Sequence, residues 1–144
     1  MNGSPQREFV DTNILIYAHD ASTGAKHERA RQLLLDLWEA ERGALSLQVL
    51  QEFYVTVTRK VAKPLDPESA SQIVAALSVW RVHTPGVKDL LSAIAVQRRY
   101  QLSFWDAMVI QSAAQLSCGT IWSEDLNPGQ VYEGIRCRNP FVPT

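Results

Sequence analysis

Four carboxylates in this 144-residue chain stand where an acid is awkward unless it holds a cation. Asp11 ends the apolar run Phe9-Val10 and opens Asp11-Thr12-Asn13-Ile14-Leu15. Glu52 lies in Leu50-Gln51-Glu52-Phe53, Asp106 in Ser103-Phe104-Trp105-Asp106-Ala107-Met108-Val109, and Asp125 follows Ile121-Trp122-Ser123-Glu124. Taking an unpaired carboxylate out of water is costly or forces its protonation, so an acid beside a hydrophobic run needs a partner. A hard divalent ion, which prefers oxygen ligands, is the most economical one. Such ions lower the pKa of bound water and neutralise charge on phosphate, so the residue set points to metal-assisted phosphodiester chemistry.

Each acid alone has an ordinary explanation. Asp11 before a helix reads as an N-cap, and Glu52 as a solvated acid off the Val49, Phe53, Val57 stripe. Asp125, in Ser-Glu-Asp-Leu-Asn-Pro-Gly, reads as turn chemistry. Asp106 follows Ser103 in a Ser-x-x-Asp capping pattern. Helical spacing nevertheless sets Asp106 on the face of Ile110 and Ala113, where a cap does not account for an acid. The coincidence of the four is far more specific than any one of them.

The elements that must position these acids follow from periodicity. Residues 8–10 read as a short buried strand, followed by a helix to about residue 17. Residues 24–42 carry Leu33, Leu34, Leu37 and Trp38 at helical spacing, and Gly43 is expected to end that helix. A strand over 44–47 leads into a helix over 48–60 with Val49, Leu50, Phe53 and Val57 on one face. Pro64 and Pro67 frame a break, with Pro67 opening a helix to about 79. A weak strand over 80–83, helices over 87–100 and 104–116, a strand over 120–122 and a last edge strand over 134–137 complete the chain. Strands alternating with helices imply a mostly parallel sheet flanked by helices. Ligands of such sheets bind beyond the C-terminal strand ends, which is where Asp11 and Asp125 fall.

Composition sets limits. The chain is 46% hydrophobic and 20% charged, a globular composition long enough for one domain, expected over 7–144, with 1–6 as a leader or cloning residue. No apolar run nears the roughly 20 residues of a membrane span, and no signal peptide is recognisable. Cys118 and Cys137 form no C-x-x-C, so neither a disulfide scaffold nor a zinc knuckle is suggested, and a reducing cytoplasm is the default. The net charge of −1 excludes a binder relying on bulk positive charge. The P-loop, the dinucleotide glycine fingerprint and the nucleophile elbow are absent, and His19, His27 and His83 lack zinc spacing. The pairs Arg59-Lys60, Arg98-Arg99 and Arg136-x-Arg138 read first as solvated surface.

With these motifs in order, the chain resembles PIN-domain proteins, and among them the VapC ribonuclease toxins of type II toxin–antitoxin pairs. The matching pieces are Phe9-Val10-Asp11-Thr12-Asn13-Ile14-Leu15, Gln51-Glu52-Phe53, Ser103-Phe104-Trp105-Asp106-Ala107, Trp122-Ser123-Glu124-Asp125-Leu126 and the tail Arg138-Asn139-Pro140-Phe141. The resemblance implies a three-layer α/β/α sandwich with a short, mostly parallel sheet. It implies Mg²⁺ or Mn²⁺ at Asp11 and Asp106, with Glu52 and Asp125 completing the acidic pocket and Thr12 and Ser123 as supporting hydroxyls. RNA as substrate, a small antitoxin of the VapB type and a homodimer come with it, and no membrane. The rival readings are a non-catalytic PIN-like binding module and an aspartate-based phosphotransfer enzyme. Against the latter, Asn13 stands where a dehalogenase-type phosphatase carries a second Asp.

Overall fold

The computed structural model describes residues 6–143. β1 (Arg7–Val10) drives Phe9 and Val10 fully into the core, and Asp11 then caps α1 (Thr12–Ala18). A 3-10 turn at Ala21–Thr23 leads to α2 (Ala25–Ala40), which buries Ala30, Leu33 and Leu37. β2 (Gly43–Ser46) is buried throughout, and Ser46 caps α3 (Leu47–Arg59). The stripe Val49, Leu50, Phe53 and Val57 faces the core, as its spacing requires. Asp66 caps α4 (Pro67–Leu77), whose first residue is the expected proline. β3 (Arg81–His83), α5 (Val87–Tyr100), α6 (Phe104–Gln115), β4 (Cys118–Trp122), β5 (Val131–Tyr132) and β6 (Ile135–Arg138) follow.

The six strands lie in the order β3-β2-β1-β4-β6-β5, all parallel except β5, which runs antiparallel to β6. The chain steps outward from β1 to β3, then returns across the sheet to β4. Right-handed crossovers put helices of opposite travel on opposite faces. Accordingly α1 packs on α2 and α3, α3 packs on α4, and α5 pairs with α6, giving a PIN-like sandwich of helices around a mostly parallel sheet. α6 is buried continuously from Ala107 to Ala113, so its first turn is held against the sheet. Among the described residues no helix is long and apolar enough to cross a membrane.

Two expectations need correcting. Gly43 does not end α2; Glu41 takes the left-handed turn there (φ 56°). Gly43 opens β2 instead, where a Cβ would collide with the Trp80 ring, so the position needs the absence of a side chain. The last strand is not an edge. β6 pairs with β4 on one side and with the two-residue β5 on the other, a strand too short to show any alternation in sequence.

Gly43→Ala is therefore expected to destabilise by about 1–3 kcal/mol through overpacking. The same change in a Trp80→Ala background should cost much less. Urea denaturation of the four proteins reads this coupling, and equal costs in both backgrounds would remove the clash argument.

Candidate active site

β1 and β4 are parallel neighbours with Val10 opposite Trp122, so their C-terminal ends stop side by side. The next residues are consequently forced together. The Asp11 N–H donates to the Trp122 carbonyl at 3.0 Å, and the Ser123 hydroxyl donates to Asp11 Oδ2 at 2.8 Å. Ser123 Oγ in turn accepts from the Asp125 N–H at 3.0 Å. The first turn of α6, capped by Ser103, supplies Asp106. One carboxylate oxygen each from Asp11, Asp106 and Asp125 lies within 4.8 Å of the others. Glu52, on α3, stands outside this trio on the wall of the same cleft, where it accepts a hydrogen bond from the Thr12 hydroxyl at 2.7 Å. The cleft, about 520 Å³, is walled by α1, α3 and α6.

The electrostatics follow from this confinement. Asp11 is only 5% exposed. Burial pushes its pKa up from 3.8 to about 6, with repulsion from Asp125 and Asp106 adding to it, against the hydrogen bonds from Ser123 and the Thr12 N–H. Asp106 is also raised, chiefly by burial, with repulsion from Asp125 and Glu52 contributing. Among the described residues no Lys or Arg pairs with any of the three acids. An oxygen-only donor set with partly desolvated, uncompensated charge suits a hard cation of the Mg²⁺ or Mn²⁺ kind.

The geometry also exposes residues that sequence reasoning passed over. Asn13 accepts from the Glu124 N–H at 3.2 Å and donates to Asp125 Oδ2 at 3.0 Å. One helical turn on, Tyr17 donates to Glu124 Oε1 at 2.6 Å, and Lys26 forms an ion pair with the same carboxylate. α1 thus grips the loop that carries Asp125. The i, i+4 spacing of Asn13 and Tyr17 was visible, but their partners lie more than a hundred positions away. Of the basic doublets, Arg99 pairs with Glu133, Arg136 bonds the Gly129 carbonyl, and Arg138 lies 4.3 Å from the Trp122 ring. Lys60 lines the cleft. His83 contacts Ser112 and Asp89, and His19 and His27 bond backbone carbonyls, so no histidine lines the cleft.

A family model of the PIN domain matches residues 9–133, and the chain belongs to the PIN-domain family. Its fold is that of solved toxin structures. A toxin–antitoxin complex from Klebsiella pneumoniae superposes with a TM-score of 0.67 at 21% identity, covering 93% of this chain and 98% of that one. VapC20 of Mycobacterium tuberculosis, described as a sarcin–ricin loop cleaving toxin, gives 0.60 at 21% identity over 79% and 86% of the two chains. DNA-bound VapBC from Salmonella typhimurium gives 0.65 at 18% identity over 94% and 98%. No curated protein matches the sequence.

A pH test of the confined charge follows. Well below the ordinary value of 3.8 Asp11 is protonated both folded and unfolded and its burial costs nothing; as pH rises from there to its folded pKa of about 6 the unfolded chain ionises first, and stability falls by up to about 3 kcal/mol before levelling off. In EDTA, Asp11→Asn should therefore gain on the wild type as pH rises from about 4 to 8. Thermal melts across that range measure the difference, and a difference independent of pH would mean that Asp11 titrates as an ordinary carboxylate.

Proposed function

We propose that this chain is a divalent-metal-dependent endoribonuclease, the toxin of a type II toxin–antitoxin pair, with residues 7–144 as its working unit. The observation that carries the reading is the convergence of Asp11 and Asp125, beyond the ends of β1 and β4, with Asp106 of α6, where Asp11 is desolvated and, among the described residues, no Lys or Arg pairs with the three. These three would hold Mg²⁺ or Mn²⁺, and Glu52 would complete the acidic pocket from the facing wall. An ion bound there supplies an activated water and neutralises charge on the scissile phosphate.

The chain's own groups have separate tasks. Ser123 and the Thr12 N–H fix the two oxygens of Asp11. Asn13 and Ser123 fix Asp125, and the Thr12 hydroxyl turns Glu52 toward the cleft. None of the carboxylates attacks the substrate; they hold the ion and its water. Similarity in fold to toxin–antitoxin complexes supports a small antitoxin of the VapB type as partner. An arginine from it would suit the acidic cleft, because guanidinium and carboxylate pair bidentately. The reading places the protein in the cytoplasm, as a homodimer and without membrane contact.

Asp11→Asn or Asp106→Asn should abolish RNA cleavage while the protein stays folded. Mg²⁺ or Mn²⁺ should raise the melting temperature of the wild type, and that rise should shrink in Asp11→Asn. Because an activated water needs no 2′-hydroxyl, the ends should be 5′-phosphate and 3′-hydroxyl, with activity lost in EDTA. Formation of 2′,3′-cyclic phosphate in EDTA would exclude the carboxylates as the centre. Binding of RNA without any cleavage would leave a non-catalytic module.

Expressed alone the chain should arrest growth, and a tagged form expressed from its native locus should copurify a small protein encoded beside it. A harmless chain with no such partner would end the toxin assignment while leaving the nuclease untouched.

A further inference from the structure

One side chain in the carboxylate cleft has no part in holding an ion. Trp105 precedes Asp106 on the first turn of α6, lines the same cleft as the acids and is 59% exposed. None of the other tryptophans lines this cleft: Trp122 is 5% exposed, and Trp38, itself 44% exposed, pairs with Trp80 with ring centroids 6.0 Å apart. Trp105 meets Phe104 edge-on, with centroids 4.9 Å apart and planes at 77°, and Phe104 packs against the core. The indole is therefore oriented by its neighbour and by a helix anchored in the core, yet most of it remains in water. Folding gains little from it there.

The cleft is also lined by Gln51 of α3 and by Lys60, the residue capping the C-terminus of that helix, and Lys60 is the one cation among the described lining residues. An RNA approaching this cleft meets mostly negative charge, on a chain whose net charge is −1. Counterion release from a single lysine supplies little affinity. Stacking of a base on an aromatic ring does not depend on charge and tolerates any sequence. It does require a base free of its own neighbours, which loops and single strands offer and a duplex does not.

We infer that Trp105 is a stacking platform for an unpaired, unstacked base adjoining the phosphate addressed by Asp11, Asp106 and Asp125, with Lys60 holding the backbone on the facing wall. The inference rests on the ribonuclease reading and deepens it. It names the side chain that meets the base next to the scissile phosphate, and it fixes that base's place by the adjacency of Trp105 and Asp106 in the first turn of α6.

The test uses wild type, Trp105→Ala, Trp105→Phe and Lys60→Ala with a mixed-sequence, fluorescein-labelled single-stranded RNA of about 12 nucleotides and its blunt duplex. Trp105→Ala should weaken binding in EDTA and raise KM in Mg²⁺ by about ten- to a hundred-fold, with kcat changed much less, and Trp105→Phe should recover most of the loss. The single strand should quench tryptophan emission of the wild type and not of Trp105→Ala, and the duplex should quench neither. Lys60→Ala should lower the salt slope of binding by about one. Unaltered melting of Trp105→Ala confirms that an exposed side chain was removed. Wild-type KM, affinity and quenching in Trp105→Ala would overturn the inference. So would loss of self-association in sedimentation with RNA affinity intact, which would make the indole an interface residue. A wild type that cleaves, with Trp105→Ala equal to it, sinks the platform and spares the nuclease; a wild type that only binds, with quenching lost in Trp105→Ala, does the reverse.

Discussion

Mutual repulsion among carboxylates that the backbone will not let separate is the constraint on which the site depends. Asp11 cannot retreat from Asp125, because the pairing of β1 with β4 fixes both strand ends and Ser123 bridges the two acids. Asp106 cannot retreat either, because α6 is buried from the next residue, Ala107, through Ala113. The hydrophobic registry of three elements thus sustains a local charge density that free side chains would disperse. Burial raises the cost, as the upward shift of Asp11 records. A cation held there would relieve this repulsion, and core packing would in that way be converted into ion affinity.

The hydrogen bonds around the trio divide into two kinds. Those to Asp11 come from Ser123 and the adjacent backbone and favour its ionised form. Those reaching the loop after β4 come from α1, through Asn13 and Tyr17, with Lys26 from α2 closing the set on Glu124. Glu124, next to Asp125 in sequence, is engaged by Tyr17 and Lys26. Two adjacent acids therefore do different work: one clamps the loop and its neighbour faces the cleft.

How much of this was legible in the sequence depends on the range of the interaction involved. Asp11 and Asp125 were placed together from strand ends alone, because parallel α/β sheets open their ligand sites there. The α3 stripe and the proline start of α4 were equally plain, being local periodicity and local sterics. Gly43 was misread because its reason is the distant Trp80 ring, and β5 was missed because two residues carry no period. Asn13 could not be interpreted without Glu124 and Asp125. Glu52 shares the cleft but not the trio, a distinction set by how α3 packs rather than by anything in Gln-Glu-Phe.

The return of the chain from β3 across the sheet to β4 has a consequence in time. Asp11 is made before α2 to α6, whereas the strand that supports it on one side and the loop that supplies Asp125 are made after them. Closing so long a loop is slow relative to local helix formation. Nascent chains that have completed β1 to α5 hold only Asp11 and Glu52, one acid of the trio, and no cleft. On the ribonuclease reading such a nascent chain would be inert, because the acidic trio is complete only once α6 and the loop after β4 have been made.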